Sequence, residues 1–294
     1  VAASRPYRKP YDKKTEPQAA RFNTGVFHAF NWRGFLDFGA GAFGDMACHT
    51  MNLPYRGLEL GKVLNAECTQ IEEMNGVAYP TKSTVKLTYA ARTSQVRPGA
   101  KLPEVTLYWY DGDQQKDGDK KLADLMPAVV AMPQYKGKVP RTGCLIVGSK
   151  GILCSCADYG QDAFIAFKGE KVAQNTKDHP ECKKIAVTIP RCSSVAAAGG
   201  MESGKGQGAA SLAADGHYIE FLRAIRGEGP KMPLVNSLAY SDVDYSIPMM
   251  EAILVGTVAQ QVPGKLNWCS EKQRFDVAQA NTLVRPVIRE GFEF

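Results

Sequence analysis

The chain has 294 residues, 44% of them hydrophobic and 22% charged, a globular composition sufficient for one large domain or two ordinary ones. The net charge of +6 is scattered among acidic residues instead of forming a basic stripe with stacking aromatics, which argues against nucleic-acid binding. The longest apolar run, around Ile247–Val258, is broken by Pro248, Glu251 and Gly256, so no membrane span is expected.

The opening VAASRPYRKPYDKKTEP is polar and basic and has no apolar secretion-signal core; it reads as a solvated arm. Residues 31–61 read as a loop leading into a helix from about Gly44. Met46, Ala47, Met51 and Leu53 mark its apolar face, and Pro54 should end or kink it. VLNAECTQI (63–71), STVKLTYAA (83–91) and EVTLYWY (104–110) favour strands, and DGDQQKDGDKK (111–121) reads as a charged loop. TGCLIVGSKGILCSC (142–156) predicts a hairpin turning near Gly148–Gly151, with AFIAFKGEKVA and KKIAVTI continuing the strand pattern. Residues 195–211 have the small, glycine-rich composition of a mobile loop. Two helical patterns close the chain: 217–225, with Tyr218, Leu222 and Ile225 on one face, and the apolar run 241–262. This order predicts an α+β fold, a large and mostly antiparallel open sheet with helices packed on one face.

The eight cysteines are Cys48, Cys68, Cys144, Cys154, Cys156, Cys182, Cys192 and Cys269. Cys154 and Cys156 form C-x-C on an apparent strand and so share a face. Zinc sites favour C-x-x-C pairs with further ligands, so no metal is expected and most of the thiols read as small buried hydrophobes.

Residues 38–49, FGAGAFGDMACH, hold Gly39, Gly41 and Gly44 in the dinucleotide spacing G-x-G-x-x-G. The preceding FNWRGFLDF is a poor central strand, and Asp45 would put a carboxylate where a pyrophosphate should meet the helix N-terminus. The glycines are therefore not expected to bind phosphates. GGMESGKG (199–206) has the spacing G-x-x-x-x-G-K but lacks the hydroxyl that follows the lysine in a phosphate loop. Asp45 and His49, four apart, should share a helix face with the carboxylate in the first turn. Such an aspartate can orient an imidazole that takes a proton from a substrate hydroxyl. The alternative is a helix-stabilising carboxylate beside a half-buried histidine. Of the other histidines (His28, His179 and His217) only His217 falls on an expected helix.

WRGFLDFGAGAFGDMACHTMN (32–52) resembles the start of the substrate domain in the bacterial branch of the Gfo/Idh/MocA oxidoreductases, with its W-R-x-x-x-D-F-G-x-G-x-x-G-D-M-x-x-H signature. TLYWYDGD (106–113), GCLIVGSKG (143–151), HYIEFLRAIRGEGP (217–230) and NTLVRPVIREGFEF (281–294) extend the likeness, and SRPYRKPYDKK looks like that family's crossing between domains. The resemblance implies His49 as general acid/base, Asp45 as its partner, and Trp32, Arg33, Asp37 and Asn52 as candidate substrate contacts. Family members often have aspartate where Asn52 stands. It also implies residues 1–30 as an arm or crossover and 31–294 as a substrate-binding and oligomerisation domain, with NAD or NADP held by a Rossmann domain that this sequence does not include. No cofactor is then expected on this chain alone, and its cofactor-binding residues are unknown. The implied substrate is a sugar or polyol, and the implied assembly a homodimer or homotetramer through the sheet face. An NAD-dependent glycosidase of the same superfamily and a non-catalytic carbohydrate-binding or assembly module are the alternatives. Compartment is left undecided.

Overall fold

The strand-forming run Val63–Glu72 (β1) pairs on both sides, with Lys82–Tyr89 (β2) and with Lys265–Cys269 (β10). Val105–Asp111 (β5) adds beyond β2 and Arg274–Phe275 (β11) beyond β10, giving an antiparallel sheet in the order β11-β10-β1-β2-β5. This computed structural model describes residues 31–112, 118–160, 163–185, 221–222, 224–228, 239, 241–285 and 290–291, without the side chains of 31 and 118–121. The expected arm (1–30), the loop at 195–211, the G-x-x-x-x-G-K stretch, His28 and His217 lie outside the described residues.

Strand alternation divides the large sheet into two unlike faces. Leu266, Ala66, Leu87 and Leu107 sit opposite one another in register, and the first three are fully buried. One residue along each strand, Lys265, Glu67, Lys86 and Tyr108 form a row on the other face. Tyr108 is about half exposed there and stacks on Tyr110, ring centroids 6.3 Å apart.

Two helices cover the apolar face. Gly41–Thr50 (α1) contributes Phe43, Ala47 and Met51 from its C-terminal flank, four residues apart and all buried. Val243–Ala259 (α6) is capped by Asp242, whose carboxylate accepts the Asp244 N–H at 2.8 Å. Its Met249, Ala252, Ile253 and Val255 pack into the same core. After α1 the helix breaks and resumes as Asn52–Gly57 (α2). Pro54 has no N–H for the Thr50 carbonyl, so the ladder fails at the junction instead of at the proline itself.

A second, smaller core lies under the antiparallel meander Cys144–Gly148 (β6), Gly151–Ser155 (β7), Ala163–Phe167 (β8) and Gln174–Asn175 (β9). Gly118–Leu125 (α3) and Pro127–Val130 (α4) accompany it, and Val129, Met126, Met132, Cys154, Ala166 and Ala173 fill it. Arg92–Thr93 (β3) and Lys101–Leu102 (β4) form a separate short hairpin, and Pro180–Lys183 (α5) and Ala278–Asn281 (α7) are two further short helices.

The fold is α+β, with a large antiparallel sheet and helices on one face, as the sequence leads one to expect. Several local expectations are corrected. The first helix begins at Gly41, and its buried stripe runs through Phe43, not through Met46 and Leu53, which are only partly buried. The end of the charged segment 111–121 is helical from Gly118. Lys183 ends α5 instead of opening a strand, Ile185 is exposed, and 186–189 lie outside the described residues. Leu222 and Ile225 are helical but exposed, so they do not form the expected buried face among the described residues.

Candidate functional site

The polar side of α1 follows from its buried side. Asp45 and His49 each come two residues after a core position, Phe43 and Ala47, which turns them about 200° around the helix axis and away from the sheet. Because the helix starts at Gly41, Asp45 falls in its second turn, so the expected first-turn dipole contact is lost. A different partner replaces it. The 3-10 turn Asn31–Gly34 brings the Arg33 guanidinium onto the Asp45 carboxylate, joining two positions of the W-R…G-D signature in an ion pair.

His49 is half-buried, not sealed in the interior. Its imidazole meets the Tyr159 ring edge to face, centroids 4.8 Å apart. Among the described residues it makes no hydrogen bond to Asp45, whose carboxylate is taken by Arg33. The thiol of Cys48, next to it, donates to the Asp45 carbonyl at 3.3 Å. Burial and the nearby Asp45 carboxylate push this thiol up from its ordinary range, so it stays protonated and is a poor nucleophile.

One turn beyond His49, Asn52 is exposed, and its side-chain oxygen accepts the Tyr245 hydroxyl proton. Tyr245 in turn lies under the Arg56 guanidinium, 4.1 Å from ring centroid to Cζ. His49, Asn52 and Arg56 thus succeed one another at helical spacing, with Tyr245 from α6 beneath the last two. The structure brings Arg33 to Asp45 and sets Asn52 one turn from His49. Trp32 and Asp37 are exposed, and no side-chain contact with His49 or Asp45 joins them to the pair among the described residues. Sequence reasoning missed Tyr159 and Tyr245; both come from distant segments that carry no local motif pointing to α1.

The three glycines are explained by packing. A Cβ on Gly39 would lie 2.3 Å from the Arg33 carbonyl oxygen, and one on Gly44 would lie 2.2 Å from the Ala40 Cβ. Gly41 has φ +70°, and a Cβ there would meet the Tyr79 ring at 2.5 Å. Close approach of Arg33, Ala40 and Tyr79 is thus what requires glycine at these three positions. No group of three or more His, Cys, Asp or Glu is placed to hold a metal ion, and no helix is long and apolar enough to cross a membrane, among the described residues. His179 instead accepts the Glu181 N–H at 3.2 Å as the cap of α5 and pairs with Glu170 at 3.0 Å.

No protein-family model matches the chain, and no curated protein matches it significantly. The resemblance rests on the motifs quoted above.

Proposed function

We propose that this chain is the substrate domain of an NAD(P)-dependent oxidoreductase that acts on a sugar or polyol, with the dinucleotide bound outside these 294 residues. The observation that carries the reading is the polar face of α1. There a half-buried imidazole stands one turn from an aspartate fixed by an arginine of the same signature.

In this reading the chain handles the proton of the oxidation. His49 takes it from the substrate hydroxyl as the carbinol becomes a carbonyl, a contribution of roughly 10²–10⁴-fold for a well-placed base. Arg33 and Asp45 offer donor and acceptor atoms to neighbouring hydroxyls, and Asn52, steadied by Tyr245, offers an amide. The Tyr159 ring closes one side of the imidazole and fixes its plane. Cys48, kept protonated, stays out of the chemistry.

The reading is tested by titrating the chain with a panel of sugars and polyols while following the His49 ring resonances by NMR, with NAD titrated in parallel by calorimetry. One panel member should shift His49, and NAD should give no heat; a silent imidazole across the panel, or micromolar affinity for NAD, overturns the assignment. In the intact enzyme, with its dinucleotide-binding domain present, His49→Ala should lower kcat by roughly 10²-fold or more in the NAD(P)-dependent assay.

A further inference from the structure

Cys154 and Cys156 are placed for chemistry that the substrate site does not use. The two sulfurs lie 3.4 Å apart, and neither is in a disulfide. Cys154 is almost fully buried in the smaller core as the penultimate residue of β7, whereas Cys156 is half-buried one residue beyond the strand, outside its ladder. In extended chain, residues two apart have Cα atoms about 6.6 Å from each other, the far edge of the disulfide range. A bond between these sulfurs therefore draws Cys156 inward.

What Cys156 would pull on is close at hand. Three residues later Tyr159 is the ring that packs on His49, and a Cβ on Gly160 would lie 3.6 Å from Leu53 Cδ1 of α2. Between Cys156 and Tyr159, Asp158 accepts the Thr142 hydroxyl proton and ties the loop back to the bend that leads into β6. The segment 156–160 is a short lever, with the thiol pair at one end and the candidate base at the other.

We propose that Cys154 and Cys156 form a redox pair which closes by exchange with a small-molecule disulfide and, in closing, shifts Tyr159 against His49. The Cys156 thiolate attacks the small disulfide, forming a mixed disulfide and releasing one thiol. Cys154 sulfur then attacks Cys156 sulfur, releasing the second thiol and leaving the protein disulfide. Two protein thiols are oxidised, one small disulfide is reduced to two thiols, and the two cysteine protons end on those thiols. Closure brings the 3.4 Å gap to a bond of about 2.05 Å. Cys156, the more accessible sulfur, is the entry point. The hydrogen bond with Cys156, together with burial, holds the Cys154 thiol up, so it acts second. The regulatory meaning of the shift rests on the reading of His49 as acid/base; the shift itself does not.

The test treats the chain with glutathione disulfide, blocks residual thiols by alkylation, maps the cross-link by mass spectrometry and follows the His49 ring resonances, assigned by their loss in His49→Gln. The expected result is a Cys154–Cys156 disulfide together with displaced His49 resonances, both reversed by dithiothreitol and absent in Cys156→Ser. Cys154→Ser should stop at the mixed disulfide on Cys156. A wild-type chain that itself stops there, a bond from Cys156 to Cys144 instead, or a Cys154–Cys156 disulfide with His49 unmoved overturns the proposal. No readout uses NAD or substrate, so failure here and failure of the oxidoreductase reading are told apart.

Discussion

Arg33 and Asp45 are twelve positions apart, and their side chains are 30% and 38% exposed. An ion pair this wet is partly screened, so its coupling should be about 0.5–1 kcal/mol at low salt and should shrink as salt is added. A double-mutant cycle with Arg33→Ala and Asp45→Ala, read by urea unfolding, measures it directly. Strict additivity at low salt would show that the pair holds nothing together. Both residues were singled out by sequence reasoning because they sit in one motif, but their pairing was not. Nor was Tyr159: its approach to His49 is made by a loop of the second sheet, and no spacing within 32–52 records which distant segment will land there. The partner of Asp45 was misjudged for a related reason, since helical spacing puts Asp45 near His49 but says nothing about a competing guanidinium arriving from the preceding turn.

At the scale of elements, the contact that seats α1 on α6 is made where a side chain is missing. A Cβ on Gly256 would lie 2.1 Å from Phe43 Cε1, and Phe43 is fully buried with its ring 5.1 Å from that of Trp109. Alanine is favoured over glycine within a helix by about 1 kcal/mol, yet here it has no room and its ring neighbour cannot retreat. Gly256→Ala should therefore destabilise the fold by about 1–3 kcal/mol in chemical denaturation; a stabilised variant would mean that Phe43 can move. Strands β1, β2 and β5 were legible because branched and aromatic residues recur in them and turn residues bound them. The start of α1 was not, because Gly41 and Gly44 weaken helix propensity locally. What overrides them is tertiary packing: Phe43 on Trp109 and the Tyr79 ring over Gly41. The C-terminal part of 111–121 misled for the opposite reason, since its charges suggested a loop whereas Leu122 packs on the second core and recruits the segment as a helix.

For the whole molecule, the sheet has one face under helices and another bearing Lys265, Glu67, Lys86 and Tyr108 in a row of alternating charge that ends in an aromatic. We propose this face as the surface through which the homodimer or homotetramer forms, its charges offering complementary partners to a second copy. Light scattering at roughly tens of micromolar should give a dimer or tetramer, and Tyr108→Glu should shift the population towards monomer; a wild-type monomer would remove the proposal. The architecture itself was readable from the order of strand-like and helix-like segments, whereas the split into two cores was not, because both draw on the same apolar residue types.

That split has a mechanical consequence. Among the described elements, the two cores communicate chiefly where α2 meets β6 and where the loop after β7 touches α1 and α2. The smaller meander can therefore open as a unit while the five-stranded layer stays intact, and its amides would exchange with deuterium ahead of those in β1 and β2. The wall beside His49 then belongs to the part of the molecule that loosens first.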